Sequence, residues 1–219
     1  MFNHMIDGSM KWIQKRLLKK YQFYPANTTA IVLIDVQNEL LGKDSLGVEF
    51  TKQVSETIGF KNNLSNLIGF GRDKGYRLVY VPYTKTITGQ YPTPIHKKLA
   101  TIISDETTDV FSGLPKEVQP QSNDMIILDR KKLSVFNSTS LAEKLKSEGI
   151  EHLVFAGPLV NVSLDSSVRD AVELGFHATL IKDCAAAFTM EEYRAAVDVT
   201  FPRFAQTVIT FEEFKKSPS

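Results

Sequence analysis

Short, continuous apolar runs alternate along this chain with segments whose hydrophobic residues recur at helical spacing. Thr29 to Asp35 reads T-A-I-V-L-I-D, rich in β-branched residues and ending in a carboxylate, the pattern of a strand buried on both faces. Similar runs at Arg77 to Pro82, Asp124 to Asp129, His152 to Gly157, His177 to Lys182 and Thr207 to Thr210 predict five more strands. Between them, Val54, Ile58, Leu64, Leu67 and Ile68 form one helical stripe, Leu141 and Leu145 a second, and Val168, Ala171, Val172 and Leu174 a third. Strands alternating with helices predict an α/β fold with a parallel sheet covered on both faces. Right-handed crossovers then gather all strand C-termini on one edge, where the ligand crevice opens. The segment from Tyr83 to Asn123 contains T-G-Q-Y-P-T-P and is too long for a plain connection, so it is expected to form a lid or binding wall. Tyr83, Lys85, Gln90 and Tyr91 are its candidate liners.

The 219 residues, 42% of them hydrophobic, suit one domain with one core. Residues 1–28 read as an N-terminal extension and 29–219 as the domain. The first ten residues carry His-Met and Gly-Ser-Met steps of the kind that survive from cloning, and are set aside. Residues 10–20 are basic and amphipathic, predicting a helix that packs Trp12, Ile13 and Leu17 on the body. Lys plus Arg number 26 against 25 Asp plus Glu, so no field of one sign exists to attract nucleic acid or an anionic membrane. No apolar run reaches membrane-spanning length. The single Cys184 excludes an internal disulfide and fits a cytoplasmic location. It lies after the fifth predicted strand and reads as a small buried residue.

The strand ends carry the candidate chemistry. Asp35 follows the first strand, Asp129-Arg130-Lys131-Lys132 the third, and Ser163 opens the helix after the fourth. A helix N-terminus beside strand tips offers free N–H groups to a developing anion. Asp residues at strand ends also commonly just cap the next turn, so the convergence is a candidate for catalysis rather than proof of it.

Three segments resemble the isochorismatase-like hydrolases, also called the cysteine hydrolase superfamily. T-A-I-V-L-I-D-V-Q-N-E-L is similar to the family's opening strand and D-x-Q-N turn. D-R-K-K-L-S-V-F-N-S-T-S-L resembles D-K-x-R-x-S-A-F-x-x-T-x-L, and G-P-L-V-N-V-S-L-D-S-S-V-R-D-A resembles G-x-x-T-N-x-C-V-x-x-T-x-R-D-A. The resemblance runs from Thr29 to Phe214. It implies a three-layer αβα sandwich on a six-stranded, mainly parallel sheet, a small-molecule substrate and homo-oligomeric assembly. It also implies an Asp-Lys-Cys catalytic set, whose positions fall here on Asp35, Arg130 and Ser163. Lys131 takes the cationic role instead if a bulge turns it toward the site. Further implied are a non-proline cis peptide at Pro158–Leu159, an oxyanion hole from the amides of Leu159 and Ser163, and Gln37 ordering the turn near Asp35 at the substrate pocket.

Two of the three catalytic types have changed. A serine hydroxyl is a poorer nucleophile than a thiolate, and no His of this chain falls at a family position beside it. Arg130 keeps the positive charge but cannot exchange a proton. Ser163 is either natural or a replacement for a catalytic cysteine. Hydrolysis of a C–N bond (amide or ureido) or of a vinyl ether stays open, the latter requiring Asp35 to act as a general acid. The alternative is a catalytically weakened or inactive homologue that binds a small molecule or works through its oligomer surface. Metal-binding relatives carry an Asp and two His near the second strand; His96 alone stands in that region, so neither a metal nor another cofactor is expected.

Overall fold

A computed structural model describes residues 22–83, 93–103, 109–130, 132–137 and 139–218. The expected helix around Trp12, Ile13 and Leu17, and the candidates Lys85, Gln90, Tyr91 and Lys131, lie outside the described residues. Six strands form one sheet in the order β3-β2-β1-β4-β5-β6, every pair parallel. They are β1 (Thr29–Ile34), β2 (Arg77–Val81), β3 (Met125–Ile126), β4 (His152–Gly157), β5 (His177–Ala185) and β6 (Thr207–Ile209). All six residues of central β1 are buried, as its unbroken apolar run requires in a sheet sandwiched between helices. Among the described residues eight α-helices accompany the strands: α1 (Asn38–Leu41), α2 (Leu46–Ile58), α3 (Phe60–Asp73), α4 (Pro94–Ala100), α5 (Leu141–Ser147), α6 (Asp165–Glu173), α7 (Met190–Arg194) and α8 (Phe211–Lys215).

Four expectations are corrected. The stripe from Val54 to Ile68 is broken into α2 and α3 at Gly59, whose φ of +67° closes one helix and opens the next. The third strand shrinks to two residues, because β3 is an edge strand and the chain then turns away to carry Arg130 inward. Strand β5 runs on through Asp183, so Cys184 lies inside the strand, fully buried, and burial pushes its thiol pKa well up. Ser163 does not open a helix: it sits within a π-helical turn, Val160–Leu164, that leads directly into α6.

Strands β1 and β4 approach each other closely where they end. Gly157 has φ +153°, and a Cβ on it would lie 2.0 Å from the carbonyl oxygen of Ile34. Only glycine lets the chain leave β4 over the end of β1. At the opposite edge of the sheet, His152 and His177 are register partners with stacked rings, 4.9 Å between centroids, and Tyr24 meets His152 edge-on. Burial lowers the His152 pKa, the neighbouring His177 lowers it further, and Glu151 partly opposes both.

Two stability outcomes follow. Gly157→Ala should cost at least about 3 kcal/mol in urea unfolding, through backbone strain plus a clash with main chain that cannot move aside. Because the folded state binds a proton at His152 less readily than the unfolded chain, the stability this ring contributes is full above the unfolded His pKa and is lost as pH falls through the folded value. Urea midpoints between about pH 7 and 5 should therefore fall less steeply for His152→Gln than for the parent protein.

Candidate active site

Asp35 is the first residue beyond β1 and adopts a left-handed φ of +61°, a conformation Asp tolerates better than most residues. Its N–H donates to the Val81 carbonyl at the end of β2, 3.1 Å away, which fixes the turn against the neighbouring strand. The side chain is fully buried and meets Arg130, also fully buried, with Nη1 2.6 Å from Oδ1. The guanidinium is held on every side. Its Nε donates to the Lys132 carbonyl at 2.8 Å, Nη2 to the Leu133 carbonyl, and Nη1 also to Val81 at 3.4 Å. Arg130 is thus a cation that reaches Asp35, mounted by the two to three residues that follow it in the chain.

Tyr83 completes this wall. The Arg130 guanidinium carbon stands 5.3 Å from the centroid of its ring, in cation–π range. Gln37 clasps the Tyr83 backbone: its Oε1 accepts from the Tyr83 N–H and its Nε2 donates to the Tyr83 carbonyl at 3.1 Å and to Glu39 at 2.9 Å. With both amide hydrogens committed, Gln37 orders the Asp35 turn and mounts Tyr83.

Ser163 comes to the same sheet edge from β4 and is fully buried. Its carbonyl accepts a 2.6 Å bond from Ser167 Oγ, which in turn accepts from the Val135 N–H at 3.0 Å. Ser167 therefore ties the turn carrying Ser163 to the loop that follows Arg130. Sequence reasoning passed over Ser167, although it falls on the threonine of the third motif. The peptide bonds of the described residues are all trans, so the expected cis bond at Pro158–Leu159 is absent. Leu159, with φ −124° and ψ 68°, is instead the last residue before the π-helical turn, and the Val160 N–H donates to Ala186 at 2.8 Å.

Three buried polar atoms at this edge have no hydrogen-bond partner among the described residues: Asp35 Oδ2, Ser163 Oγ and the Tyr83 hydroxyl. Asp35 Oδ2 and Ser163 Oγ consequently do not bond each other. Among the described residues no histidine bonds to these three groups. His152 and His177 lie at the far edge, while His96 is buried on α4 with Nδ1 2.5 Å from Thr93 Oγ1. A groove of about 420 Å³ runs beside the site between Lys132, Leu133, Ser134, Ser166, Arg169 and His96. A larger depression of about 640 Å³ lies along α2 between Asp44 and Asn62 and touches none of the three orphaned groups. Arg169 pairs with Asp165 at 3.0 Å, and Asp170 accepts from Asn137 at 2.7 Å, so both are structural. Among the described residues no group of three or more His, Cys, Asp or Glu side chains is placed to hold a metal ion. None of the described helices is long and apolar enough to cross a membrane.

Comparison with known proteins agrees with this architecture. The isochorismatase domain model matches residues 29–213. A ureidoacrylate amidohydrolase, RutB, of Variovorax paradoxus is 25% identical over 213 residues, covering 88% of this chain and 82% of its own length. The isochorismatase family protein YddQ of Bacillus subtilis is 26% identical over 164 residues, covering 75% of this chain and 81% of that protein. Among solved structures, an isochorismatase-like hydrolase from Alkaliphilus metalliredigens superposes with a TM-score of 0.68 at 22% identity, covering 86% of this chain and 95% of that one. N-carbamoylsarcosine amidase from Thermoplasma acidophilum gives 0.62 at 21% identity, covering 84% and 97%. The strand order, the buried acid at the first strand's end and a domain match spanning most of the sequence lead to one conclusion: the chain belongs to the isochorismatase family and is a hydrolase of that family.

Proposed function

We propose that the protein hydrolyses a C–N bond in a small carboxamide or ureido compound, with Asp35 as the proton carrier. The observation that carries this reading is the buried contact of 2.6 Å between Asp35 and Arg130, with the second carboxylate oxygen left open. The guanidinium occupies one carboxylate oxygen and leaves Oδ2 as an open acceptor for a nucleophile's hydrogen. That favours attack on a carbonyl over protonation of a vinyl ether. The likeness to a ureidoacrylate amidohydrolase supports the same choice.

In the proposed cycle the Ser163 hydroxyl attacks the carbonyl carbon while its proton passes to Asp35 Oδ2. The carbonyl π electrons move to oxygen, and the backbone N–H groups of Leu159 and Ser163 hold the resulting anion. Collapse breaks the C–N bond, and the proton leaves Asp35 for the departing nitrogen. Water then attacks the ester on Ser163, again giving its proton to Asp35, and Ser163 recovers its own proton as the acid is released. Arg130 steadies the carboxylate throughout and exchanges nothing. Because a hydroxyl is a weaker nucleophile than a thiolate, turnover is slow.

A panel of carboxamides and ureido acids tests this. Asp35→Asn should lower kcat/KM by about 1000-fold, whereas Ser163→Cys should raise kcat on the same substrates. If the parent protein and Ser163→Cys are both inert across the panel, the hydrolytic reading fails and a small-molecule-binding homologue takes its place. The ion pair has a separate signature. Arg130→Met, which strands a buried charge, should cost about 3–5 kcal/mol in urea unfolding, and combining it with Asp35→Asn should restore most of that loss.

A further inference from the structure

One group at this edge has no part in the cycle above. Tyr83 is 1% exposed, and its hydroxyl is buried without a hydrogen-bond partner among the described residues. Buried hydroxyls in folded proteins are nearly always bonded, so one left open beside other reactive groups points to a ligand. Orphaned threonine hydroxyls also occur at the far end of the sheet, on Thr29 and Thr207, but those lie where strands begin and touch none of this chemistry.

The difference at Tyr83 is its mount. The Gln37 carboxamide holds both the N–H and the carbonyl of its backbone, Glu39 holds Gln37, and the Arg130 guanidinium covers the ring at 5.3 Å. A residue held by its backbone and covered on its ring, with an idle hydroxyl, has the preorganisation expected of a donor. Burial and the nearby Asp35 carboxylate raise the tyrosine pKa, outweighing the opposing effect of Arg130, so the proton stays in place throughout any ordinary assay range. The group therefore donates a hydrogen bond and does not act as a base.

We propose that the Tyr83 hydroxyl is a further catalytic group, donating a hydrogen bond to the carbonyl oxygen of the scissile amide or ureido unit as negative charge gathers there. This rests on the hydrolytic reading above and sharpens its substrate class. Asp35, once it holds the serine's proton, calls for a basic nitrogen to receive it, and the Tyr83 hydroxyl calls for an acceptor. A carboxamide or ureido unit, with its nitrogen and its C=O, satisfies the two together, whereas the corresponding ester lacks the nitrogen.

The test compares Tyr83→Phe with the parent and with Asp35→Asn on one carboxamide substrate and on its ester analogue. Phenylalanine keeps the ring beneath Arg130 and removes only the hydroxyl. The expected result is a fall in kcat of about 100-fold with KM little changed, the same pH profile as the parent, and preference for the amide over the ester in the parent. If Asp35→Asn abolishes turnover while Tyr83→Phe leaves kcat unchanged, the Tyr83 assignment is overturned and the hydrolytic reading stands. If Asp35→Asn is silent, the underlying reading falls first. Should Tyr83→Phe fail to fold, 3-fluorotyrosine at position 83 preserves ring and hydroxyl while making the donor more acidic; a changed kcat at constant KM supports the assignment, and an unchanged kcat overturns it.

Discussion

A buried ion pair organises this molecule. Two charges removed from water carry a desolvation cost of several kcal/mol each, and their attraction offsets it only when every remaining donor finds an acceptor. The chain meets that demand locally. Carbonyl groups of Lys132, Leu133 and Val81 take up the Arg130 donors, and the Val81 carbonyl also receives the Asp35 N–H. Three parts of the fold are bound to one point: the end of β1, the end of β2, and the segment after β3. The short β3 follows from this arrangement. Had the strand continued to Asp129, alternation would have set the position of Arg130 by sheet register rather than by the need to reach Asp35.

Further hydrogen bonds hold Tyr83 and Ser163 by their backbones. Gln37 acts on Tyr83 through its backbone, and Ser167 acts on Ser163 through a carbonyl. Both are short links between separate segments, and both leave the outward-facing atoms of their partners unengaged. Asp35 Oδ2, Ser163 Oγ and the Tyr83 hydroxyl remain unbonded among the described residues.

Much of the fold is legible in the sequence because buried parallel strands must be apolar on both faces. T-A-I-V-L-I and H-L-V-F-A-G admit few other readings, and their order fixes which ends share an edge. Misjudged features have particular causes. Gly59 breaks a helical stripe that hydrophobic spacing carries straight through, because periodicity records which face is buried and not whether the backbone continues. Strand β3 was overestimated because D-M-I-I-L-D is apolar enough for a strand, yet Ile126 and Leu128 are exposed at the sheet's edge. At the site, Asp35, Arg130 and Ser163 were readable as types at strand ends. The partner of Gln37 was not, since nothing in a glutamine's sequence neighbourhood tells that its amide clasps the backbone of Tyr83, 46 residues away. The trans link at Pro158–Leu159 is likewise a three-dimensional matter.

The permanence of the guanidinium charge imposes an order of events on the proposed chemistry. Arg130 never releases a proton and Tyr83 keeps its own, so within the described part of the site Asp35 alone carries hydrogen from one partner to another. Once it has taken the serine's proton it is full, and water cannot be activated until the leaving nitrogen has emptied it. Amine departure must therefore precede the splitting of the ester, and the two halves of turnover cannot overlap.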